Sequence, residues 1–264
     1  MITKKRIVTL NLMSKTIKWC FALPLTYILY IVIALVLPQR GPIFLYLQYI
    51  LIIAIFLFIC KKFLNFDVKL FFTPSGKKFS FKKLFITILL ALIMFSTIEF
   101  VFMLINPQSY VFTFNPAYFY EWILSLILIV LAALYEELLF RAYVAHFAAN
   151  ENPVKWKTVL ASGLLFAIAH FQNPEVNAQA YSAMTFYFIF GAVLMLYYLM
   201  DNSIELPLGI HIGSNLVVAW FVTYPDGVLQ TNALFTGPST AVDGFIGCAI
   251  LLAFVLIRPK LFRR

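Results

Sequence analysis

The sequence predicts an all-α, polytopic transmembrane helix bundle of about eight spans with both termini cytoplasmic, and three observations carry that prediction. Hydrophobic residues make up 63% of the 264 residues and charged residues only 12%, with a mean hydropathy of +0.92. Soluble domains average roughly 45–50% apolar and about 25% charged. One or two soluble cores could not hide this apolar excess, so lipid must be the solvent. Apolar runs near the ~20 residues that cross a bilayer recur along the chain, and Lys and Arg gather between alternate pairs of them.

The runs fall at 17–37, 43–60, 84–105, 121–148, 157–173, 178–200, 204–222 and 244–257. The first follows a basic stretch, as in a signal peptide, but it is long, starts late and has no small-residue cleavage site after it, so it is read as a span. The run at 121–148 is over-long and contains Glu136, Glu137 and Arg141, so it tilts or protrudes. The run at 157–173 is short and ends at Asn173-Pro174, a turn signal.

Charge placement tests the count independently. With the N-terminus inside, the inner segments receive Lys4, Lys5, Arg6, Lys15 and Lys18, the cluster from Lys61 to Lys83, Lys155 and Lys157, and finally Arg258, Lys260, Arg263 and Arg264. Arg40 alone falls outside, and the outer loops near 106–120 and 223–243 hold no Lys or Arg. This positive-inside pattern requires an even number of spans, hence eight rather than seven. The net charge of +9 is thereby explained at segment ends, with no nucleic-acid partner. The basic 61–83 loop, interleaved with Phe71, Phe72, Phe79 and Phe81, reads either as a partner of anionic lipid headgroups or as a plain stop-transfer loop. Cys20, Cys60 and Cys248 are scattered, without a CxxC, and read as core thiols.

The chemistry lies in the polar content of the membrane interior. An ionisable group at the bilayer centre costs about 2.5–3.5 kcal/mol or more, so it marks a functional site with a partner to be named. The densest cluster is Tyr135-Glu136-Glu137-Leu138-Leu139-Phe140-Arg141. Residues four apart share a helix face, whereas adjacent ones point about 100° apart. Arg141 therefore pairs with Glu137, and Glu136 is left as a free carboxylate suited to general-base work. Read structurally, the same residues are a buried salt bridge with a spare Glu.

Two of the three histidines lie in apolar runs beside polar partners: His170 closes Phe166-Ala167-Ile168-Ala169-His170, and His211 opens His211-Ile212-Gly213-Ser214-Asn215. A lone membrane His often makes only an interhelical hydrogen bond. Two His and two Glu on neighbouring helices could instead hold a metal, through Glu136, His170 and His211, or position a water directly. Asn215 and His211 could donate to a developing oxyanion.

These blocks, in this order and each in an apolar helix, resemble the CAAX prenyl endopeptidase and bacteriocin-processing (CPBP, or Abi) family of intramembrane proteases. The family pattern Glu-Glu-x-x-x-Arg, Phe-x-x-x-His, His-x-x-x-Asn is matched at Glu136, Glu137, Arg141, Phe166, His170, His211 and Asn215. The resemblance implies a membrane endopeptidase acting on a peptide or membrane-protein substrate. Glu136 and His170 would activate water, and His211 with Asn215 would form the oxyanion site. Glu137, Arg141 and Phe166 would support them. It also leaves open a divalent metal, zinc, or a metal-free glutamate mechanism. The chain is then expected to divide into N-terminal helices with the basic loop (1–116), a CPBP/Abi-like protease core (117–222), and an outer loop, last helix and basic tail (223–264). It is expected in a bacterial plasma membrane as a multi-pass protein, with a role in bacteriocin self-immunity or peptide maturation. The competing class is a non-catalytic immunity protein or a transporter using the same cavity for binding, though a transporter predicts internal repeats or broken helices in matching positions, which are not seen.

Depth constrains this arrangement. At about 1.5 Å per residue, Glu136 lies about 22 Å from the outer start of its run, whereas His170 is a few residues from the outer end of its own. Either the 121–148 helix begins outside the bilayer, or the 157–173 helix continues past its boundary. The aromatic belt of Tyr118, Phe119, Tyr120 and Trp122 favours the first. Other polar residues have plainer readings. Ser162-Gly163 reads as small-residue packing, Asp226 and Asp243 as solvated loop carboxylates, His146 as interfacial, and Glu99 as a carboxylate partnered by a neighbouring helix. No His-Glu-x-x-His zinc helix occurs.

Overall fold

The computed structural model describes residues 17, 18, 20–29, 31, 32, 35, 42–149, 155–229, 231–238 and 241–257. The charges expected at Lys4, Lys5, Arg6, Lys15, Arg40, Arg258, Lys260, Arg263 and Arg264 lie outside the described residues. Each predicted run holds a helix: α1 (Cys20–Leu29), α2 (Pro42–Lys62), the short α3 (Lys69–Phe72) in the basic loop, and α4 (Phe81–Ile105). They are followed by α5 (Tyr120–Glu137), α6 (Val144–Ala149), α7 (Lys155–Ala169), α8 (Pro174–Asp201), α9 (Glu205–Leu216) and α10 (Val242–Ile257). Among the described residues, four stretches are long and apolar enough to cross a membrane: Leu45–Lys62, Phe81–Ile105, Tyr120–Phe147 and Pro174–Asp201. The fold is therefore all-α, and the protein is an integral membrane protein.

Two helices depart from α geometry at or just after their signature residues. Between α5 and α6 the chain continues as a π-helix over Leu138–Tyr143, and α9 continues as one over Val217–Phe221. A π segment widens the turn and is frequent at functional sites. Hydrophobic spacing does not reveal it, because every residue of Leu138–Tyr143 is buried.

Of the two ways to bring Glu136 and His170 to one depth, continuation of the 157–173 helix is not seen. α7 stops at Ala169 and does not continue past the expected boundary. His170 lies in a tight turn, with Phe171 N–H donating to Ile168 O and Asn173 N–H to His170 O. Pro174 then restarts the chain as α8, which is broken at Gln179 (φ −143°, ψ 58°). Proline suits a first helical turn because its missing N–H would have no partner there.

α9 packs along α4 through Gly209 and Gly213, which bracket His211. A Cβ on Gly213 would lie 2.7 Å from the Ile88 carbonyl oxygen and 2.6 Å from Ala91 Cβ. Backbone cannot yield as a flexible side chain does, so Gly213→Val is expected to cost about 1–3 kcal/mol, read as a lower thermal midpoint in detergent.

The two ends of the bundle are tied differently. At one, Lys83 pairs with Asp201 and, at 3.0 Å, with Glu205, joining the starts of α4 and α9 to the end of α8. Lys83 is thus engaged within the protein rather than free for lipid. Phe71 is likewise buried, stacked on Phe56 at 5.8 Å, because the loop folds back under the bundle. Phe81, by contrast, is exposed. At the other end, the loops near 106–120 and 223–243 form a small sheet. β1 (Val111–Phe112) pairs antiparallel with β3 (Phe235–Thr236), which pairs in parallel with β2 (Val222–Thr223). Trp122 and Trp220 stack beneath it at 5.3 Å, and Trp122 Nε1–H donates to Asn232 O. Of the cysteines, Cys60 and Cys248 are buried as expected, but Cys20 is exposed.

Candidate active site

The site forms where the end of α5, the turn after α7 and the middle of α9 converge. Glu137 and Arg141 are fully buried, with Arg141 Nε 3.1 Å from Glu137 Oε2. That contact lies off the hydrogen-bonding angle, and neither Nη atom has a hydrogen-bond partner among the described residues. The guanidinium instead covers the Phe166 ring at 4.6 Å, a cation–π contact that desolvation strengthens. The expected i,i+4 pair is therefore present, and it has a further member. His211 Nδ1 donates to Glu137 Oε1 at 2.8 Å. Glu137 thus joins Arg141 on its own helix to a histidine on α9, a link that helical phase alone does not predict.

His170 is held at several points. Its Nδ1 donates to the Phe166 carbonyl at 2.8 Å. Its ring lies 4.3 Å from those of both Phe166 and Tyr187. In each histidine an acceptor at Nδ1 fixes that nitrogen as the donor, so in the neutral ring Nε2 presents a lone pair. Both Nε2 atoms face one carboxylate oxygen: Glu136 Oε2 stands 3.6 Å from His170 Nε2 and 3.7 Å from His211 Nε2. That oxygen is buried without a hydrogen-bond partner among the described residues. Glu136 is therefore turned away from the Glu137–Arg141 pair, as helical phase requires.

Glu136, His170, His211 and Asn215 all line a cavity of about 660 Å³. Its walls draw on α1, α2, α4, α5, α8 and α10 as well, so they cross the boundaries expected at 116 and 222. Two polar groups in these walls were not legible in the sequence. In one, Tyr187 Oη and Asn173 Nδ2 both donate to Glu175 Oε1, the latter at 3.1 Å. Pro174-Glu175 announces a helix start, and nothing in the spacing says that the carboxylate turns into a cavity. In the other, Tyr224 Oη donates to Glu99 and to Asp243 Oδ2, the latter at 3.3 Å. Burial and these two carboxylates hold the Tyr224 hydroxyl well above the usual tyrosine range. Nearby Tyr110 is pushed up to about 12 by burial and the same carboxylates.

Glu99 thus finds partners both in the loop after α9, at Tyr224, and on a neighbouring helix as expected, at Asp243 in the first turn of α10. Asp243 is not a solvated loop residue as expected, because α10 starts early enough to place it in the cavity wall; Asp226 is exposed. Ser162 is buried and donates to Phe140 O at 2.7 Å, as packing requires. His146 packs on Phe66 and Phe71, away from the cavity lining.

Residues 118–217, which contain every signature residue, match the family model described as type II CAAX prenyl endopeptidase Rce1-like. The chain is also 35% identical over 164 residues to the uncharacterized protein YyaK of Bacillus subtilis (strain 168). That match covers 59% of this chain and 52% of the relative, so the chain spans about half the length of the curated protein it matches. No solved structure matches it. Over residues 118–217, then, this chain is similar to the Rce1-like, CAAX prenyl endopeptidase-type family to which its three motifs point.

Proposed function

We propose that the protein is an intramembrane endopeptidase that hydrolyses a peptide bond of a membrane-associated or peptide substrate. The observation that carries this reading is the convergence of Glu136 Oε2 with two Nε2 atoms at 3.6 and 3.7 Å on a cavity wall. These separations are too long for direct hydrogen bonds and leave room for a water between the three groups. Glu136 takes a proton from that water while His170 orients it. The new oxygen–carbon bond makes a tetrahedral oxyanion, to which the Asn215 carboxamide donates. His211 can donate there from Nε2 once both ring nitrogens carry protons. As the C–N bond breaks, Glu136 returns its proton to the leaving amine.

A divalent metal such as zinc would be held by Glu136, His170 and His211, and would polarise the water and the carbonyl. The donor types suit it. The separations exceed the ~3.3–3.4 Å edge that bonds of about 2.0–2.1 Å imply in a tetrahedral site, so the trio would have to close by a few tenths of an ångström. Among the described residues no group of three or more such side chains stands ready as a metal cage.

The eight apolar runs are read as eight spans with both termini cytoplasmic, in a bacterial plasma membrane, on the positive-inside distribution of Lys and Arg. The exposed Lys61, Lys62, Lys69, Lys77, Lys78 and Lys82 would rest on anionic headgroups. Maturation of a peptide, or self-immunity to a bacteriocin, is the role this activity would serve.

The test is cleavage of a panel of internally quenched apolar peptides by the purified protein in phospholipid vesicles. His170→Ala should remain folded and lose cleavage by about 10²-fold or more. Chelator treatment with metal analysis separates the two mechanisms: inactivation reversed by zinc supports the metal, and full activity without metal supports the glutamate route. A folded His170→Ala that cleaves as well as wild type would leave binding, by an immunity protein or transporter, as the function of the cavity.

A further inference from the structure

Of the four carboxylates in the cavity wall, Glu136 and Glu175 each keep an oxygen without a hydrogen-bond partner among the described residues. Glu99 and Asp243 share the Tyr224 hydroxyl, and Glu136 faces two imidazoles. Glu175 differs. Its Oε1 accepts from Tyr187 and Asn173, which fix its direction, while its Oε2 is buried with no hydrogen-bond partner among the described residues. The same Tyr187 ring stacks on His170 at 4.3 Å, which links Glu175 through one side chain to the water-activating pair. None of the residues lining the cavity is Lys or Arg, in a chain of net charge +9. A carboxylate oxygen held in a largely apolar cavity without a counter-charge is costly, and a cation brought by the substrate relieves that cost.

We propose that Glu175 is a specificity-determining residue that receives a cationic group of the substrate, a primary ammonium or a guanidinium, next to the bond to be cut. This rests on the peptidase reading above. Tyr187 and Asn173 orient one carboxylate oxygen and leave the other for the charge-assisted hydrogen bond. The acidic pair at Glu99 and Asp243 adds to the field that favours a cation throughout the cavity.

The experiment uses wild type and E175Q in vesicles of neutral phosphatidylcholine, which removes attraction by the lipid. The probes are N-acetylated, internally quenched apolar decapeptides in which one Lys, Gln or Glu is scanned through every position, plus the Gln set with a free amino terminus. At one or two positions kcat/KM for Lys should exceed that for Gln on the order of tenfold, with Glu poorest. In E175Q the Lys/Gln ratio should fall to near one. If the free-amine Gln peptides are favoured and the Lys peptides are not, the same carboxylate receives the α-amine. Equal rates for Lys, Gln, Glu and free-amine peptides would overturn the proposal, as would a preference unchanged in E175Q. Binding of the same peptides, followed by anisotropy, separates the two readings. If wild type cleaves nothing yet binds Lys peptides more tightly, and E175Q does not, the subsite stands and the peptidase reading fails. Binding without charge preference overturns the subsite itself.

Discussion

Glu136→Gln is expected to lower kcat/KM for any cleaved peptide by about 10³-fold, with little change in thermal midpoint. The carboxamide keeps the shape and one acceptor oxygen, but it cannot take a proton from water. General-base contributions are typically 10²–10⁴-fold, and here the same group also returns the proton to the leaving amine. Little stability should be lost, because Glu136 makes no hydrogen bond that holds the helices together: its contacts at 3.6 and 3.7 Å are longer than bonding distance. Initial rates and thermal unfolding of the same preparation check both halves. A folded variant with near-normal rates would remove Glu136 from the chemistry.

Arg141→Met should do the reverse and lower the thermal midpoint strongly. Met preserves the apolar stem and discards the guanidinium, leaving Glu137 fully buried with no cation on its own helix. Removing one partner of a buried pair costs about 3–5 kcal/mol. Glu137→Gln should cost a similar amount, since it strands Arg141. The double variant should recover part of the loss, because both charges go together and the carboxamide oxygen introduced by Glu137→Gln can still accept from His211 Nδ1. Thermal unfolding of the two single variants and the double variant gives the coupling directly. Additive losses would show that the contact at 3.1 Å carries no pairing energy.

The fold was largely legible in the sequence because one property, apolar run length, decides it: each run carried a helix. The Glu137–Arg141 pair and the free Glu136 were legible too, since both follow from residues four apart sharing a face. What stayed hidden depends on the tertiary path. The Glu137–His211 hydrogen bond joins residues 74 positions apart, and Tyr224 reaches Glu99 only because the loop after α9 is pinned into the small sheet. Tyr187 is one of fourteen tyrosines, with nothing in its neighbours to single it out. His170 was placed near a helix end correctly, but the turn that ends α7 inside the bundle left no trace in hydropathy.

The π segments after Glu137 and Leu216 bear on how this chain tolerates changes of length. Such a segment behaves as an α-helix carrying one residue too many. Deleting a single residue from Val217–Phe221 is therefore expected to restore regular winding there, leaving His211 and Asn215 upstream in place and shifting mainly the approach to β2. The same deletion in the middle of α8 would swing Tyr187 by about 100° away from His170 and strip it of its support. Single-residue gaps should thus be survivable just downstream of the motifs and ruinous within α8, a contrast that a scanning-deletion library would resolve.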